Sequence, residues 1–409
     1  MNTFAAEGIF PGNPKYEEAV RRQRELYRRD EELRSPFYRD YTRILHCNAY
    51  RRLKHKTQVF FATGNDHICT RMEHVQHVAT ISYTLGKALG LNTELAQAIA
   101  LGHDLGHAPF GHHGEEVLGR LVRRELGISE DYWHERNSLR FVDLIETLPD
   151  ALGNEQNLNL TYAVRDGIIC HCGEVQEEAL YPRSEAVDLE VMRRANQNAP
   201  WTWEGCVMKI ADKIAFLGRD LEDAVSLGIL SETERRTLGR LLSRDLDSLN
   251  LSSLSNTTLI NTFVRDLLQH SSPKNGIRFG KDTLKLIHEL VYFSYHNIYN
   301  HSRLKPFAAY ATLLLEQLFA HLVRYYSAAE TVHALQEEAH LYPTLHGNFG
   351  GFLLKYGSGQ QTLLQEQSYG YATLYDLSQE QDYKRAIIDF ISGMTDQYAI
   401  KTFQELLYL

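Results

Sequence analysis

Apolar residues recur every three or four positions along three long segments, and this spacing constrains the fold more than any other feature. From Arg71 onward the apolar positions are Val75, Val78, Ile81, Leu85 and Leu89. A second segment begins at Asn92 or Thr93 and runs to His103, and a third covers about 205–227. This period is typical of helices with one buried face. Since proline breaks helices and the chain of 409 residues has only 10 prolines, the sequence predicts an all-α protein.

Other segments give weaker structural predictions. The charged stretch 16–34 predicts a helix that ends near Pro36. The polar stretches 249–263 and 270–280 predict a connection between two helical halves, and loops are expected near 341–360.

Composition limits the cellular compartments and the classes of binding partner that are expected for this chain. The five cysteines are odd in number and lack framework spacing, which indicates a reducing compartment. No apolar run reaches the ~20 residues of a membrane span, and no signal-peptide pattern is evident at the N-terminus. We therefore predict a cytoplasmic protein without a membrane partner. The net charge of −9 disfavours a dedicated nucleic-acid binder. The run Cys170-His171-Cys172 has no second Cys/His pair at zinc-site spacing, so the cysteines are interpreted as core residues.

The stretch "GHDLGHAPFGHHGEE" (102–116) is unusually rich in histidine and carboxylate side chains. His103 and Asp104 stand at the end of the second helical segment, where a buried carboxylate must be paired or metal-bound. His74 lies on the preceding helix, and Asp212 lies on the third. Two imidazoles and two carboxylates on three helices predict a metal site. Mixed nitrogen and oxygen ligands suit Mn, Fe, Zn, Ni or Mg, and such a site polarises phosphoryl oxygens and activates water.

The order His74, His103-Asp104, Asp212 resembles the HD-domain phosphohydrolase superfamily. The flanking segments narrow the resemblance to bacterial deoxyguanosinetriphosphate triphosphohydrolase-like proteins. These segments are "RILHCNAYRRLKHKTQVF", "TRMEHVQHV", "LGHDLGHAPFGHHGEE", "WHERNSLRFVDLIE" and "DFISGMTDQYA". The resemblance implies an HD-domain helical core at 46–230, preceded by an N-terminal helical arm at 1–45. A C-terminal helical region at 231–409 would pack on the core and contribute to the nucleotide pocket.

The resemblance also implies a reaction. Members cleave dGTP or several dNTPs into deoxynucleoside and triphosphate by attack of metal-activated water on the α-phosphorus. Because the leaving 5′-alkoxide is strongly basic, a general acid is needed. The resemblance assigns this role to His112, supported by Glu115, with His113 as the competing histidine. His107 and His134 match catalytic positions near the phosphates. Loop packing for His107 and helix capping for His134 are the alternative interpretations.

Substrate contacts follow from the same resemblance. Arg71 and Lys213 are expected at the phosphates, and Gln58 and Asp220 at the 3′-hydroxyl of the deoxyribose. Phe216 stands where relatives commonly have tyrosine, so the ring that blocks a ribose 2′-hydroxyl is kept and the phenol oxygen is lost. Two further sets of residues are less specific. At most one of Arg51, Arg52 and Lys56 is expected at phosphate, and part of the base pocket is expected near 394–399.

The implied cofactor is one divalent ion per site, with Mn²⁺ or Mg²⁺ first and Fe²⁺, Co²⁺, Ni²⁺ or Zn²⁺ as alternatives. The implied partners are a dNTP substrate, further copies of the chain in a tetramer or hexamer, an allosteric dNTP and weakly bound single-stranded DNA. Two alternative functions remain open from the residues. One is an HD phosphohydrolase for a nucleoside monophosphate or cyclic nucleotide, and the other is a regulatory protein that binds single-stranded DNA.

Overall fold

Helices dominate the chain. The computed structural model describes residues 3–26, 32–61, 65, 67–127, 132–172, 178–245, 256–358 and 373–407. Its helices are α1 (Tyr16–Val20), α2 (Pro36–His46), α3 (Asn48–Arg52), α4 (Arg71–Leu89), α5 (Thr93–Gly102), α6 (Gly111–Leu126), α7 (His134–Arg140), α8 (Tyr162–Cys170), α9 (Trp203–Ser226), α10 (Glu232–Asp245), α11 (Asn256–His270), α12 (Lys281–Ser294), α13 (Lys305–Val323), α14 (Thr331–Glu337), α15 (Pro343–Tyr356), α16 (Glu380–Ser392) and α17 (Asp396–Glu405). Strands β1 (Thr147–Pro149) and β2 (Glu155–Asn157) form a small antiparallel hairpin. The predicted all-α class is confirmed.

Helices α4, α5 and α9 pack against one another at the centre of the fold. Each begins with a side-chain cap that satisfies its first free backbone N–H groups. Thr70 and Glu73 form a capping box on α4, Asn92 caps α5, and Thr202 caps α9. The apolar stripes predicted for these helices are buried between them. This packing fixes the three backbones that carry His74, His103 and Asp212.

The loop between α5 and α6 turns sharply and is pressed against α7. Phe110 and Gly111 both have a positive φ, of 65° and 59°, which reverses the chain before α6. Ser138 on α7 accepts a hydrogen bond from the backbone N–H of Gly106 (2.9 Å) and donates one to the carbonyl of His103 (2.7 Å). The start of α6 and the start of α7 are therefore held beside the end of α5.

Helix α13 joins the second half of the chain to the first. It packs against α6, α16 and α17. The segment Ser302–Val323 is long and apolar enough to cross a membrane by length and composition alone. Its side chains at Leu314, Leu315, Leu318 and Leu322 are completely buried, as in the core helix of a globular fold. Upstream of α13, a π-helical turn at Tyr295–Tyr299 and a 3₁₀ turn at Ser302–Leu304 lie beside the central cavity.

Three local predictions were wrong. The helix predicted for 16–34 ends at Val20, because Arg21 takes an extended conformation; residues 27–31 lie outside the described part. The loops predicted near 341–360 are replaced by helix α15, which begins with Pro343 in its first turn, where proline is tolerated. Residues 256–263, predicted as part of a connection, begin α11, and 246–255 lie outside the described residues.

Candidate metal centre and adjoining cavity

The four predicted metal ligands converge at the junction of α4, α5 and α9. The Nε2 atom of His74 lies 2.9 Å from Oδ1 of Asp212. The Nε2 atom of His103 lies 3.4 Å from Oδ1 of Asp104 and 3.9 Å from Oδ1 of Asp212. Donor atoms of His74, His103 and Asp104 all lie within 4.8 Å of one another. The spacing is that of ligands around a single small ion.

The protonation of these residues fits a divalent ion. The Nδ1 atom of His103 is 2.7 Å from the carbonyl oxygen of Ala100, so Nδ1 carries the proton and Nε2 carries the lone pair. This buried Nε2 has no hydrogen-bond partner among the described residues. Burial opposes the charged form of Asp212, but the hydrogen bond and charge of His74 lower the pKa of Asp212 to about 2. Ionised carboxylates beside an imidazole lone pair are the donors that such an ion requires.

A second group of predicted residues surrounds Glu115. Its Oε2 atom lies 3.0 Å from Nδ1 of His134 and 3.5 Å from Nδ1 of His112, and its Oε1 atom accepts a hydrogen bond from the backbone N–H of His134 (2.9 Å). Glu115 is therefore bound more closely to His134 than to His112. The ring of His107 stacks on that of His134 with centroids 3.8 Å apart, and Nε2 of His107 lies 3.1 Å from Oδ1 of Asp104.

Two residues at this centre were missed by the sequence interpretation. His171, which the sequence interpretation assigned no role, is buried and lines the cavity, and its ring centroid is 4.9 Å from that of His103. Glu135 is buried beside His134 and also lines the cavity. The sequence interpretation considered Cys170-His171-Cys172 only as a thiolate-containing metal site, so the histidine by itself was overlooked. The signal was its position directly after an apolar helical segment, the position that His103 also occupies.

The pKa values of His171, Glu135 and the neighbouring His134 are shifted in different directions. Burial lowers the pKa of His171 to about 3, with help from His103 and His134. Burial raises the pKa of Glu135 to about 7, although the neighbouring His134 opposes this. Burial also disfavours the charged form of His134, but the carboxylates of Glu135, Glu115 and Asp104 raise the pKa of His134 to about 10.

A cavity of about 610 Å³ opens in front of these groups. Its walls include the predicted substrate residues Gln58, Phe216 and Asp220. Asp220 accepts a hydrogen bond from the phenol of Tyr299 (2.7 Å), and burial raises the pKa of this carboxyl to about 6. The second half of the chain contributes the segment 295–308 to the lining. No residue of 394–399 is among the lining residues of this cavity in the described part, and the base pocket expected there stays a prediction. Asp396 instead accepts hydrogen bonds from the backbone of Thr57 and Phe110.

The predicted cations differ in whether their side chains line the cavity. Arg71 is buried in the wall of the cavity and donates from Nη1 to Oδ2 of Asp104 (2.7 Å). Its Nε and Nη2 atoms have no hydrogen-bond partner among the described residues. Lys213 is buried on α9 but is not among the residues that line the cavity in the described part. Lys56 is buried and donates to the carbonyls of His107 and Ser392, while Arg52 pairs with Glu146 at 2.6 Å. Arg71 is thus the predicted cation that faces the cavity.

Comparison with known proteins agrees with this geometry. Residues 71–217 match the HD domain model, and residues 360–405 match the phosphohydrolase-associated domain model. A deoxyguanosinetriphosphate triphosphohydrolase-like protein of Caldanaerobacter subterraneus is 31% identical over 97% of this chain and 92% of its own length. Proteins of the same description from Desulfatibacillum aliphaticivorans and Caulobacter sp. strain K31 are each 32% identical, over 92% and 98% of this chain and 88% and 97% of their own lengths.

Proposed function

The chain belongs to the HD-domain family of deoxyguanosinetriphosphate triphosphohydrolase-like proteins, and on that premise we propose that it hydrolyses deoxynucleoside triphosphates to deoxynucleoside and triphosphate. The supporting observation is the set of buried His74, His103 and Asp104 with half-buried Asp212 beside a cavity of about 610 Å³. A divalent ion held by these four side chains, Mn²⁺ or Mg²⁺ in our proposal, would polarise a phosphoryl oxygen and lower the pKa of bound water.

Arg71 supports a substrate with several phosphates. Its Nη1 atom is occupied by Asp104, but Nε and Nη2 are buried in the cavity wall without a hydrogen-bond partner among the described residues. A buried guanidinium N–H without an acceptor is costly, and phosphate oxygens match its fork geometry. Arg71 would therefore bind a phosphate oxygen beside the metal centre.

His112 would donate the proton to the leaving group. Its side chain is 75% exposed toward the open cavity, and its Nδ1 atom lies 3.5 Å from Oε2 of Glu115. The Glu115 carboxylate orients this ring through Nδ1 and leaves Nε2 directed away from Glu115 for the substrate. In the proposed reaction a bond forms between a water oxygen and the α-phosphorus, and the bond from that phosphorus to the 5′-oxygen breaks. The proton of His112 passes to the 5′-oxygen, the attacking water releases one proton to solvent, and His112 takes up one proton from solvent before the next turnover.

The sugar would lie against Phe216, Gln58 and Asp220. The Asp220 carboxylate and the Gln58 amide oxygen can both accept a hydrogen bond from a 3′-hydroxyl, and the Gln58 oxygen is buried without a partner among the described residues. Tyr299 supplies a phenol oxygen to this wall, although Phe216 lacks one.

Product analysis tests the proposal. The purified protein is incubated with each dNTP and MnCl₂ in ¹⁸O-labelled water, and the products are separated. We expect deoxynucleoside and triphosphate, with the label in triphosphate, and loss of activity in Asp212→Asn. Release of pyrophosphate or orthophosphate would contradict the proposal. So would turnover of nucleoside monophosphates or cyclic nucleotides without turnover of any dNTP.

Further properties implied by the family resemblance remain predictions. They are assembly into a tetramer or hexamer, an allosteric dNTP, weak binding of single-stranded DNA and a cytoplasmic location. Base preference is open between dGTP and several dNTPs, and the assay across all four nucleotides measures it.

A further inference from the structure

The carboxylate of Asp396, the first residue of α17, joins two backbone segments that lie beside the cavity. Its Oδ2 atom accepts a hydrogen bond from the backbone N–H of Thr57 (3.0 Å) and another from the hydroxyl of Thr57. Its Oδ1 atom accepts a hydrogen bond from the backbone N–H of Phe110 (2.8 Å). Asp396 is 7% exposed, so both oxygen atoms are used inside the protein. One side chain therefore ties residue 57 to residue 110.

Each of the two segments leads directly to a residue of the proposed site. The residue after Thr57 is Gln58, and the second residue after Phe110 is His112. Gln58 and His112 both line the cavity. The segments also lie side by side, because a Cβ atom added at Gly111 would lie 3.5 Å from the backbone oxygen of Gln58. The carboxylate that joins the segments therefore influences the distance between Gln58 and His112.

The segment before α6 needs support because its backbone conformation is unfavourable. Phe110 has a φ of 65°, a region that residues other than glycine disfavour. A hydrogen bond from a backbone N–H to a carboxylate is stronger than one to a neutral acceptor. Beside this bond, the ammonium of Lys56 donates to the carbonyl oxygens of His107 and Ser392, the latter at 3.1 Å. The C-terminal region thus holds the loop at residue 107 as well as at residue 110.

The carboxylate of Asp396 is not required to cap its own helix. Thr395 is the N-cap of α17, and its side chain accepts a hydrogen bond from the backbone N–H of Tyr398. A negative charge in the first turn of a helix gives only modest stabilisation. Among the described residues, the hydrogen bonds of the Asp396 side chain go to Thr57 and Phe110. The side chain therefore serves the cavity segments more than it serves α17.

We propose that Asp396 is a positioning residue that sets the distance between Gln58, which binds the 3′-hydroxyl, and His112, which protonates the 5′-oxygen. The inference rests on the proposed function for these roles of Gln58 and His112. The 3′-hydroxyl and the 5′-oxygen belong to one deoxyribose, so both side chains can reach the same substrate only when their separation is correct. A misplacement of about 1 Å can lower a rate by roughly 10²-fold.

A double-mutant cycle tests the positioning role. Asp396→Asn replaces one acceptor oxygen by an amide nitrogen that cannot accept a hydrogen bond. We expect kcat for dNTP hydrolysis to fall by roughly 10–10²-fold in Asp396→Asn. The same change made in His112→Gln should lower kcat by less than about threefold, because no proton donor is left to be positioned. A purely structural role would lower kcat equally in the two backgrounds.

Hydrogen exchange in the full-length protein measures the contact independently of activity. The amide hydrogen of Phe110 is expected to exchange at least ~tenfold faster in Asp396→Asn than in the wild type, because it loses its acceptor. Asp382→Asn is the matched control. Asp382 also lies in the first turn of a C-terminal helix, α16, and accepts a hydrogen bond from the backbone N–H of Asp376 (2.8 Å). This control should keep the wild-type kcat and the wild-type exchange at Phe110.

The remaining outcomes contradict different statements. A wild-type protein that turns over no dNTP contradicts the proposed function and with it the role of Asp396. A folded Asp396→Asn with wild-type kcat, or with equal losses in both backgrounds, overturns the positioning role and leaves the proposed function intact. Unchanged exchange at Phe110 overturns the contact.

A second variant covers the case in which far-ultraviolet circular dichroism shows that Asp396→Asn is unfolded. Asp396→Glu keeps the negative charge at the start of α17 but displaces the acceptor oxygens by one methylene group. It is expected to lower kcat at least ~tenfold. An unchanged kcat in Asp396→Glu would overturn the proposal.

Discussion

His112 and His113 are adjacent on the first turn of α6 but have different surroundings. The Nδ1 atom of His112 is near Glu115, and the rest of its ring is open to the cavity. The Nε2 atom of His113 lies 2.8 Å from the hydroxyl of Thr312 on α13. One imidazole is thus available to a substrate, whereas the other is engaged by a neighbouring helix.

We expect His112→Gln to lower kcat for dNTP hydrolysis by roughly 10²–10⁴-fold, which is the usual contribution of a general acid. Glutamine keeps a polar group near Glu115 but cannot deliver the proton. His113→Gln is the matched control and should change kcat by less than about tenfold. Steady-state kinetics on both variants measure this difference. Equal losses in the two variants would remove His112 from the proposed role.

At the residue scale, the sequence predicted which residues lie at the site better than it predicted which side chains they contact. Asp220 was expected at the deoxyribose from the family resemblance, and it does line the cavity. Its contact with Tyr299, which is 79 residues away along the chain, could not be derived because no local pattern encodes it. Glu135 was missed because only the fold turns it toward the cavity, whereas His171 had the weaker signal of following an apolar helical segment.

The loop after α5 illustrates how one element positions another. A Cβ atom added at Gly106 would lie 2.1 Å from the backbone nitrogen of Ser138 and 2.3 Å from the carbonyl carbon of Asn137. These atoms belong to α7, which carries His134 at its first position. Backbone cannot yield as a flexible side chain can, so α7 approaches this closely only because residue 106 is glycine.

We therefore expect Gly106→Ala to destabilise the fold by about 2 kcal/mol or more, because overpacking against backbone forces helices apart. Activity should fall as well, since His134 would move. Gly347→Ala is the control. A Cβ there meets nothing within 4 Å inside α15, and alanine should stabilise the helix by roughly 0.5–1 kcal/mol. Urea unfolding of both variants measures the contrast. A Gly106→Ala protein as stable as the wild type would show that α7 can withdraw from the loop.

At the element scale, periodicity predicted α4, α5 and α9 close to their observed bounds because each carries a clear apolar stripe and a capping residue. It failed for α15. Pro343 together with Gly347, Gly350 and Gly351 suggested loops, but Leu345, Phe349 and Leu353 are completely buried on one face. Tertiary burial outweighed weak helix propensity there.

Two buried histidines connect helices of the C-terminal half. Nε2 of His321 on α13 lies 2.9 Å from Nε2 of His346 on α15. Nδ1 of His346 donates to the carbonyl of Leu335, so Nε2 of His346 accepts the hydrogen bond from His321. Burial lowers the pKa of both rings, that of His321 to about 4. The pair is therefore neutral in the folded protein at neutral pH.

This pair should make the whole molecule sensitive to acid. Between about pH 6.5 and pH 4 the unfolded chain takes up protons that the folded pair refuses, so stability falls as the pH drops through this window. We expect the difference in Tm between pH 7 and pH 5 to be smaller in His321→Gln than in the wild type. His340→Gln, an exposed histidine after α14, should keep the wild-type difference. An unchanged difference in His321→Gln would contradict the assignment.

For the whole molecule, the scarcity of proline and the long apolar stripes were sufficient to predict the fold class. The cavity was less predictable because its walls come from both halves of the chain. The wall residues on α4, α5 and α9 could be predicted, because these helices show a clear local sequence pattern. The wall at 295–308 depends on how α13 and the turns before it dock, and the sequence carried no signal for that docking.

Helix α13 has a consequence that reaches beyond the cavity. Its first residue, Lys305, lines the cavity, Thr312 contacts His113 one-third of the way along, and His321 sits in the buried pair near its other end. At 1.5 Å per residue, Lys305 and His321 are ~24 Å apart along one uninterrupted rod. The cavity wall and the buried histidine pair are therefore joined by a single continuous helix.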